Sequence, residues 1–433
     1  MRRVFSLPER LRALAAVESG LARAQARLEV IPQSAADAIG AAAAQVDAFD
    51  VAAMVAATEN VGYPVVPLTR ELATRSGADA ARYVHLGATT QDILDTALVL
   101  QLRDALVLLE TDLRATADAL AVRARRHRDD VMAGRTHLQH ALPITFGYKV
   151  AVWLAPLLDD LGAFEALRSR LLQVQFGGAV GTLASLGERG RDVTVALAEE
   201  LGLAAPAAPW HADRSRFAAL ACALGVTCGS LAKIAGDVIL LMQTEVAEVF
   251  EPHASGRGGS STMPQKRNPV ASEYILACTR GVHALVPLLL TAMVGDHERS
   301  TGPWQSEEIA LPQLLILASG AFAQARVIAE GMTVDTARMR TNLDLTGGLI
   351  MAEAIATALA ASLGNAEAHH VVERACAAAI EGKRPLIEVL TDDPIVSGHL
   401  DRARLEALFR PESSTGQSGA VVDRVLTRYA ELR

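Results

Sequence analysis

The sequence predicts an all-α fold built from unusually long helices, and three observations carry this prediction. Alanine and leucine dominate a chain of 433 residues in which aromatic residues make up only 4%, a composition that favours close-packed helices over sheets. Residues 91–130 contain neither glycine nor proline and repeat apolar side chains at helical spacing. No stretch alternates with period two for long, so strands should be minor.

The other long helices are predicted in the same way. A second proline-free run extends from Phe217 to Phe250, about 50 Å if fully helical at ~1.5 Å per residue. Two more long apolar segments follow Pro143 and Pro269. Each contains an internal proline that should kink the helix rather than end it; these are Pro156 and Pro287.

Residues 331–334 are predicted to break the chain, with shorter helices running from there to the C-terminus. We expect three domains, at 1–104, 105–345 and 346–433, the middle one being the long-helix bundle. Helices of this length need partners along their whole surface, which a single subunit could hardly supply. The chain is therefore expected to associate through them.

Composition also restricts the compartment and the partners. The four cysteines lie inside apolar helical patterns without CxxC spacing, which argues against disulfides and a zinc site. The N-terminus reaches charged residues too early for a signal peptide, and the apolar run Gly281–Gly295 is too short to span a bilayer. A net charge of −8 without a basic run argues against nucleic acid. We expect a cytoplasmic protein with no membrane partner.

Three polar islands interrupt the apolar patterns. The first is His85–Asp92, "HLGATTQD", in which Thr89 or Thr90 can cap the helix that begins near Gln91. The N–H groups at such a helix start can bind an anion. An ordinary capped helix start explains the same residues.

The second island is Gly134–Pro143, "GRTHLQHALP", predicted to lie just before another helix. If it is helical, His137 and His140 would share one face, as a metal pair would. The cluster contains no carboxylate and HExxH is absent, so we expect no metal and no cofactor. A hydrogen-bonded structural histidine is the alternative.

The third island is the loop Gly256–Asn268, which carries glycines, serines and the cations Arg257, Lys266 and Arg267 in an acidic protein. A surface linker has a similar composition. Taken together, however, the islands supply the hydroxyl, imidazole and cationic groups that acid–base chemistry beside a carboxylate needs. The loop is therefore predicted to be a lid over an anionic substrate.

The loop also carries a resemblance. Residues 259–269, "GSSTMPQKRNP", match the signature GSSxMPxKxNP of the fumarase/aspartase superfamily, and the other islands resemble its remaining signature regions in the same order. The resemblance implies an all-helical homotetramer with a central helical bundle. It also implies active sites assembled from three subunits.

Residue roles follow from the resemblance alone. Ser260 matches the loop serine that acts as the base, and Lys266 and Asn268 match substrate-binding residues. His137 matches a histidine whose partner is a glutamate just past the signature, here Glu273. The implied substrate-binding set is completed by His85, Thr89, Thr90, Arg135, Thr136, Gln139, Arg214 and Ser261.

Within the superfamily, the stretches "HLGATTQDILDTALVLQLRDAL", "QFGGAVGTLASLG" and "HERSTGPWQSEE" are similar to bacterial cycloisomerases that close a tricarboxylate diene to a lactone. Gln265 and Ser215 depart from that branch, which usually has histidine and aspartate there. A C–N lyase acting on a substituted succinate and releasing fumarate is the alternative. A purely structural use of the scaffold would predict loss of Ser260, His137 or Lys266, and all three are present.

Overall fold

The computed structural model describes residues 1–253, 258–259, 262–263 and 265–432, and these residues are mostly helical. The helices are α1 (Leu7–Arg27), α2 (Gln33–Ala43), α3 (Val51–Val61), α4 (Val65–Ser76), α5 (Ala78–Ala81), α6 (Thr90–Arg126), α7 (Phe146–Leu171), α8 (Gly190–Leu201), α9 (Ser215–Met242), α10 (Val270–Thr291), α11 (Pro303–Gly331), α12 (Thr336–Leu343), α13 (Ala352–Leu363), α14 (Asn365–Gly382), α15 (Leu386–Asp392), α16 (Pro394–His399), α17 (Arg402–Leu408) and α18 (Ser418–Glu431). The strands are β1 (Val131–Thr136), β2 (Gln139–Thr145), β3 (Val249–Phe250) and β4 (Thr333–Val334). They form two antiparallel pairs, β1–β2 and β3–β4.

The predicted all-α class and long helices are confirmed. Helix α6 has 37 residues, and both Pro156 and Pro287 lie inside continuing helices. The break predicted at residues 331–334 falls where α11 ends and β4 begins. The helix predicted from Phe217 to Phe250 ends earlier, at Met242, because the chain turns there and enters β3.

The chain divides into two compact units. The first contains Met1–Asp112, Asp160–Gly229 and Ala277–Phe322. In it α1 packs against α2 and α8. Its core is formed by buried side chains that include Leu14, Leu21, Leu68, Phe176 and Leu197.

The second unit contains Leu113–Asp159, Ser230–Leu276 and Ala323–Arg433. Here β1 contacts α12, and α13 packs against α14 around a core that includes Ile355, Leu359, Val371, Leu386 and Leu390. The two units are each made of separated stretches of chain, whereas the predicted domains are consecutive stretches. The three-domain division remains a prediction.

Among the residues that the structure describes, three helices, α9, α10 and α11, are long and apolar enough to cross a membrane by length and composition. The apolar run 281–295, predicted to be too short to span a bilayer, overlaps the C-terminal half of α10, and the whole helix has 22 residues. Only 22% of the most apolar part of α10 is buried within the chain, against 56% of the most apolar part of α9. These helices therefore present apolar surface that one chain leaves open.

Candidate active site

The second island forms a β-hairpin in the second unit, and α7 begins only after β2. Thr136 pairs with Gln139 across the hairpin end. His137 and Leu138 make the turn with φ of 50° and 65°, the positive values that a two-residue type I′ loop requires. Leu138 is 71% exposed, and the side chains of Thr136, His137 and Gln139 are exposed as well. Three predicted site residues thus lie together at an exposed tip.

Arg135 lies at the base of this tip and forms a bidentate ion pair with a buried carboxylate. Its Nη1 donates to Glu248 Oε2 at 2.9 Å and its Nη2 to Oε1 at 2.6 Å. Asn342 Nδ2 donates to the same Oε1 at 2.7 Å, and the Glu248 side chain has no exposed surface. We therefore reassign Arg135 from the predicted substrate binding to anchoring the hairpin.

His140 lies on β2 opposite Arg135. His137 and His140 would share one face only in a helix, and that condition is not met because His137 lies in a turn and His140 in a strand. Burial, with the nearby charge of Arg135, lowers the pKa of His140, although Glu248 opposes the shift. The ring is therefore neutral at neutral pH. In the described part of the chain, no group of three or more His, Cys, Asp or Glu could hold a metal.

The loop signature is described in part, and Ser260 and Ser261 lie outside the described residues. The Asn268 N–H donates to Gly258 O at 2.8 Å, and Gly259 forms an antiparallel bridge with Arg267. Gly258 has a φ of 66°, and a Cβ there would lie 2.7 Å from Asn268 O. Glycine is thus required where the two ends of the loop meet. Lys266 is exposed near this junction.

Glu251 connects the loop to α10. Its carboxylate accepts from the Ala271 N–H at 3.0 Å and from the Ser272 N–H and Oγ, both at 2.7 Å. Arg267 Nη2 donates to the Glu251 carbonyl at 2.9 Å. A buried carboxylate at a helix N-terminus satisfies open N–H groups and interacts favourably with the helix dipole. Sequence reasoning missed Glu251, whose only signal is its position ahead of the loop.

Glu273 and His137 are both exposed, and Glu273 lies in the first turn of α10. Over the described ranges of this one chain, no hydrogen bond or ion pair joins the two side chains. The predicted pair is therefore not formed within a single subunit.

The first island lies in the first unit, where His85 has a φ of 63°. Its Nδ1 lies 2.6 Å from Oε1 of Glu18 on α1. Burial disfavours the charged ring, but the hydrogen bond to Glu18 and the charges of Glu18 and Asp92 outweigh burial. The pKa of His85 is therefore raised.

The predicted helix start at the first island is confirmed, with α6 beginning at Thr90, which is half-buried. The capping bond comes from Asp92, whose Oδ2 accepts from the Thr89 N–H at 3.0 Å. The Thr89 hydroxyl instead accepts from Arg299 Nη1 at 3.0 Å. Arg299, which sequence reasoning did not single out, thus places a cation beside a predicted binding residue.

Asp92 also joins the first island to the loop after α7. Its carboxylate accepts from the Gly177 N–H at 3.0 Å and the Gly178 N–H at 2.9 Å. His211 Nε2 lies 2.6 Å from Oδ1. Arg299 Nη2 donates to the Ala179 carbonyl at 2.8 Å, so the same glycine-rich loop positions both groups.

Arg214 was predicted to bind substrate, but its side chain has no exposed surface. The guanidinium donates to Asp95 at 2.7 and 2.9 Å and to Glu307 at 2.5 to 3.1 Å. These carboxylates outweigh burial and raise the pKa of Arg214. Because the buried guanidinium already donates to these two carboxylates, it is not open to a substrate. We therefore reassign Arg214 to a structural role.

The neighbouring departure from the family pattern, Ser215, contacts Asp213 and Arg170. Its hydroxyl donates to the Asp213 carboxylate and accepts from the Arg170 guanidinium. Ser215 therefore supports the start of α9.

Comparison with known proteins defines the class. The family model described as "Lyase" matches residues 2–283, and the model "Adenylosuccinate lyase C-terminus" matches residues 348–425. The chain belongs to this lyase family, the fumarase/aspartase superfamily that the loop signature predicted.

Individual members of this family are similar to the chain over nearly its whole length. The chain is 48% identical to 3-carboxy-cis,cis-muconate cycloisomerase of Pseudomonas aeruginosa, over 100% of this chain and 95% of that protein. The crystal structure of 3-carboxy-cis,cis-muconate lactonizing enzyme from Pseudomonas putida matches with a TM-score of 0.94 and 45% identity, covering 100% of this chain and 97% of that one. A fumarate lyase from Mesorhizobium sp. BNC1 matches with a TM-score of 0.92 and 45% identity, covering 99% and 97%.

Proposed function

We propose that the protein is a 3-carboxy-cis,cis-muconate cycloisomerase, which closes this tricarboxylate diene to 4-carboxymuconolactone in the breakdown of protocatechuate. The observation that carries the proposal is the 48% identity to such an enzyme along the entire chain. The cationic and hydroxyl-bearing groups of the islands fit a polycarboxylate substrate. They give the enzyme fixed charges for the carboxylates that must be held.

The reaction is an isomerisation, so its atoms balance without a co-reactant. A terminal carboxylate oxygen of the substrate attacks the carbon beta to the opposite terminal carboxylate, in the double bond conjugated to that carboxylate, and forms the lactone C–O bond. The electron pair of that double bond moves to the carbon alpha to the same opposite carboxylate, which then takes up one proton. Because the nucleophile is already anionic and intramolecular, the enzyme gains most from orientation and from stabilising the enolate charge.

Those residues proposed for this task that the structure describes are exposed or half-buried. Lys266 and Asn268 from the loop, His85 and Thr89 from the first island, and Arg299 beside Thr89 would hold the carboxylates. Ser260 would transfer the proton. The further substrate contacts proposed are Thr90, Thr136, Gln139 and Ser261.

We further propose that the long helices assemble into a homotetramer. In a single chain, large apolar side chains on these helices are exposed to solvent: Val122 on α6 is 61% exposed, Val226 on α9 64% and Ile309 on α11 62%. Burying such faces against other subunits is favourable by about 25 cal/mol per Å². This explains apolar surface on α9, α10 and α11 without a membrane and fits a cytoplasmic enzyme.

We also propose that each active site is shared between subunits. His137 at the hairpin tip and Glu273 on α10 are exposed and unjoined within the described residues of one chain. A glutamate from one subunit facing the histidine of another would fix the imidazole tautomer and raise its proton affinity. The tetramer supplies that arrangement.

A lyase that releases fumarate is the second candidate. The observation that favours it is the 45% identity to the Mesorhizobium fumarate lyase. In the lyase reaction an enolate of the same kind breaks down by expelling a leaving group. In the cycloisomerase reaction the enolate is formed by ring closure. The two candidates therefore share a binding site and differ in product.

The test is an ultraviolet assay of the purified protein with 3-carboxy-cis,cis-muconate, run beside adenylosuccinate and argininosuccinate. Loss of the diene absorbance with the muconate, and no fumarate from the two succinates, supports the cycloisomerase. Fumarate formation from a succinate with an unchanged muconate spectrum would replace it with the lyase.

A further inference from the structure

Helix α1 presents two buried polar side chains to the segment that carries His85. Glu18 and Gln25 are seven residues apart, which is about two helical turns, so they lie on the same face. Gln25 Nε2 donates to the Leu86 carbonyl at 2.7 Å, while Glu18 Oε1 lies 2.6 Å from His85 Nδ1. The Gln25 and Glu18 side chains are almost fully buried, and 25% of the His85 side chain is exposed.

We propose that Glu18 is a positioning residue that fixes the His85 ring with Nδ1–H donated to Glu18 and Nε2–H directed to a carboxylate of the substrate. The inference rests on the proposed function only in taking the ligand to be a polycarboxylate. In the described part of the chain Nε2 has no hydrogen-bond partner, and the ring reaches solvent. The second nitrogen is thus free to donate.

The backbone around His85 supports a held rather than a mobile ring. A non-glycine residue with positive φ costs about 1 kcal/mol or more, and such conformations persist where surrounding contacts determine them. The Gln25 bond to Leu86 and the Glu18 bond to His85 are two such contacts. Both come from one buried helix face, so the ring cannot turn without breaking a short hydrogen bond.

The electrostatics select the charged form of the ring. The charged groups that act on His85 are Glu18 from α1 and Asp92 from α6, and both are carboxylates. The resulting pKa lies above the ordinary value of 6.5, so imidazolium persists to higher pH than in a free histidine. The two carboxylates therefore favour the form of His85 that can bind a substrate carboxylate as a cation.

The experiment uses histidine-labelled full-length protein and ¹⁵N NMR of the imidazole groups, with His85→Asn to assign the resonance. The probe is propane-1,2,3-tricarboxylate, whose affinity is measured by calorimetry from pH 6 to 9. Glu18→Gln keeps size and a hydrogen-bond acceptor but removes the charge. Glu59→Gln, an exposed carboxylate on α3, is the charge-matched control.

We expect Glu18→Gln to lower the titration midpoint of His85 by about one pH unit, which corresponds to about 1.4 kcal/mol. Probe affinity near pH 7.5 should fall several-fold, recover at lower pH, and stay unchanged in Glu59→Gln. An unchanged midpoint and unchanged affinity would overturn the proposal.

If Glu18→Gln does not fold, His85→Asn decides the matter. It should weaken the probe and abolish the wild-type pH dependence of affinity between pH 6 and 9. Retention of full affinity and of that pH dependence would overturn the proposal. Because the probe is not turned over, a wild-type protein that binds it as expected but leaves the muconate unchanged would sink the proposed function and not this inference.

Discussion

Arg135 and Glu248 are joined by two parallel hydrogen bonds of 2.6 and 2.9 Å at the base of the hairpin that carries His137. A bidentate arginine–carboxylate pair adds geometric precision as well as energy. Glu248 is buried and also accepts a hydrogen bond from Asn342, so the pair fixes the position of the base of the hairpin. The position of His137 at the tip therefore depends on this pair.

Removing Arg135 should therefore affect the fold as much as the reaction. Arg135→Met leaves Glu248 as a buried carboxylate with no cation, and breaking such pairs costs about 3–5 kcal/mol. Urea unfolding should show a loss of this order. Arg374→Met, an exposed arginine on α14, is the control and should stay within about 0.5 kcal/mol of the parent. A stable Arg135→Met protein with only a raised KM would restore Arg135 to substrate binding.

Arg214 leads to a second stability prediction, in the first unit. Arg214→Met leaves the carboxylates of Asp95 and Glu307 buried next to each other with no cation between them. We expect a loss of about 3–5 kcal/mol or failure to fold. Arg214→Lys should recover only part of the stability because an ammonium cannot bond both carboxylates in the same plane. Thermal unfolding of both variants measures this, and a lysine variant as stable as the parent would contradict it.

Stability should also depend on pH through His85. Its pKa is raised on folding, so its stabilisation is fully present below the unfolded value of about 6.5 and is lost as pH rises through the folded pKa. The difference in unfolding free energy between the parent and Glu18→Gln should be largest near pH 6. It should shrink towards pH 9. A difference that grows with pH would reverse the assigned sign.

The sequence predicted the helical architecture well and the geometry of the islands poorly. Periodicity located α6, because long apolar repeats are averaged over many residues, and the break predicted at residues 331–334 located the end of α11. It could not locate the hairpin at Gly134–Pro143, since two residues in the left-handed region, His137 and Leu138, decide that turn. Only the fold shows that Arg135 and Arg214 face carboxylates distant in sequence, at Glu248 and Glu307.

The loop residues make separable contributions. Ser260→Ala should lower kcat by about 10²–10⁴ if the hydroxyl transfers the proton. Lys266→Ala should also raise KM, because it removes a charge that binds the ground-state carboxylate. Steady-state kinetics on the two variants and on His137→Ala provide the comparison. Near-full activity of Ser260→Ala beside an inactive His137→Ala would assign proton transfer to His137.

Shared active sites can be tested by mixing inactive subunits. Glu273→Gln should lower turnover and shift one limb of the pH–rate profile. Light scattering should give a mass about four times 45.7 kDa. When His137→Ala and Glu273→Gln subunits are unfolded together and refolded, mixed tetramers should regain activity because some sites receive both intact residues. A stable monomer, or no recovery in verified mixed tetramers, would count against sharing.

The most direct test of the proposed reaction is proton NMR of the products when 3-carboxy-cis,cis-muconate is converted in D₂O. The account predicts a single lactone product that carries one deuterium on the carbon alpha to a carboxylate. The amount of lactone should equal the amount of muconate consumed, and no fumarate should form. Unchanged muconate, with fumarate appearing only from a substituted succinate, would contradict it.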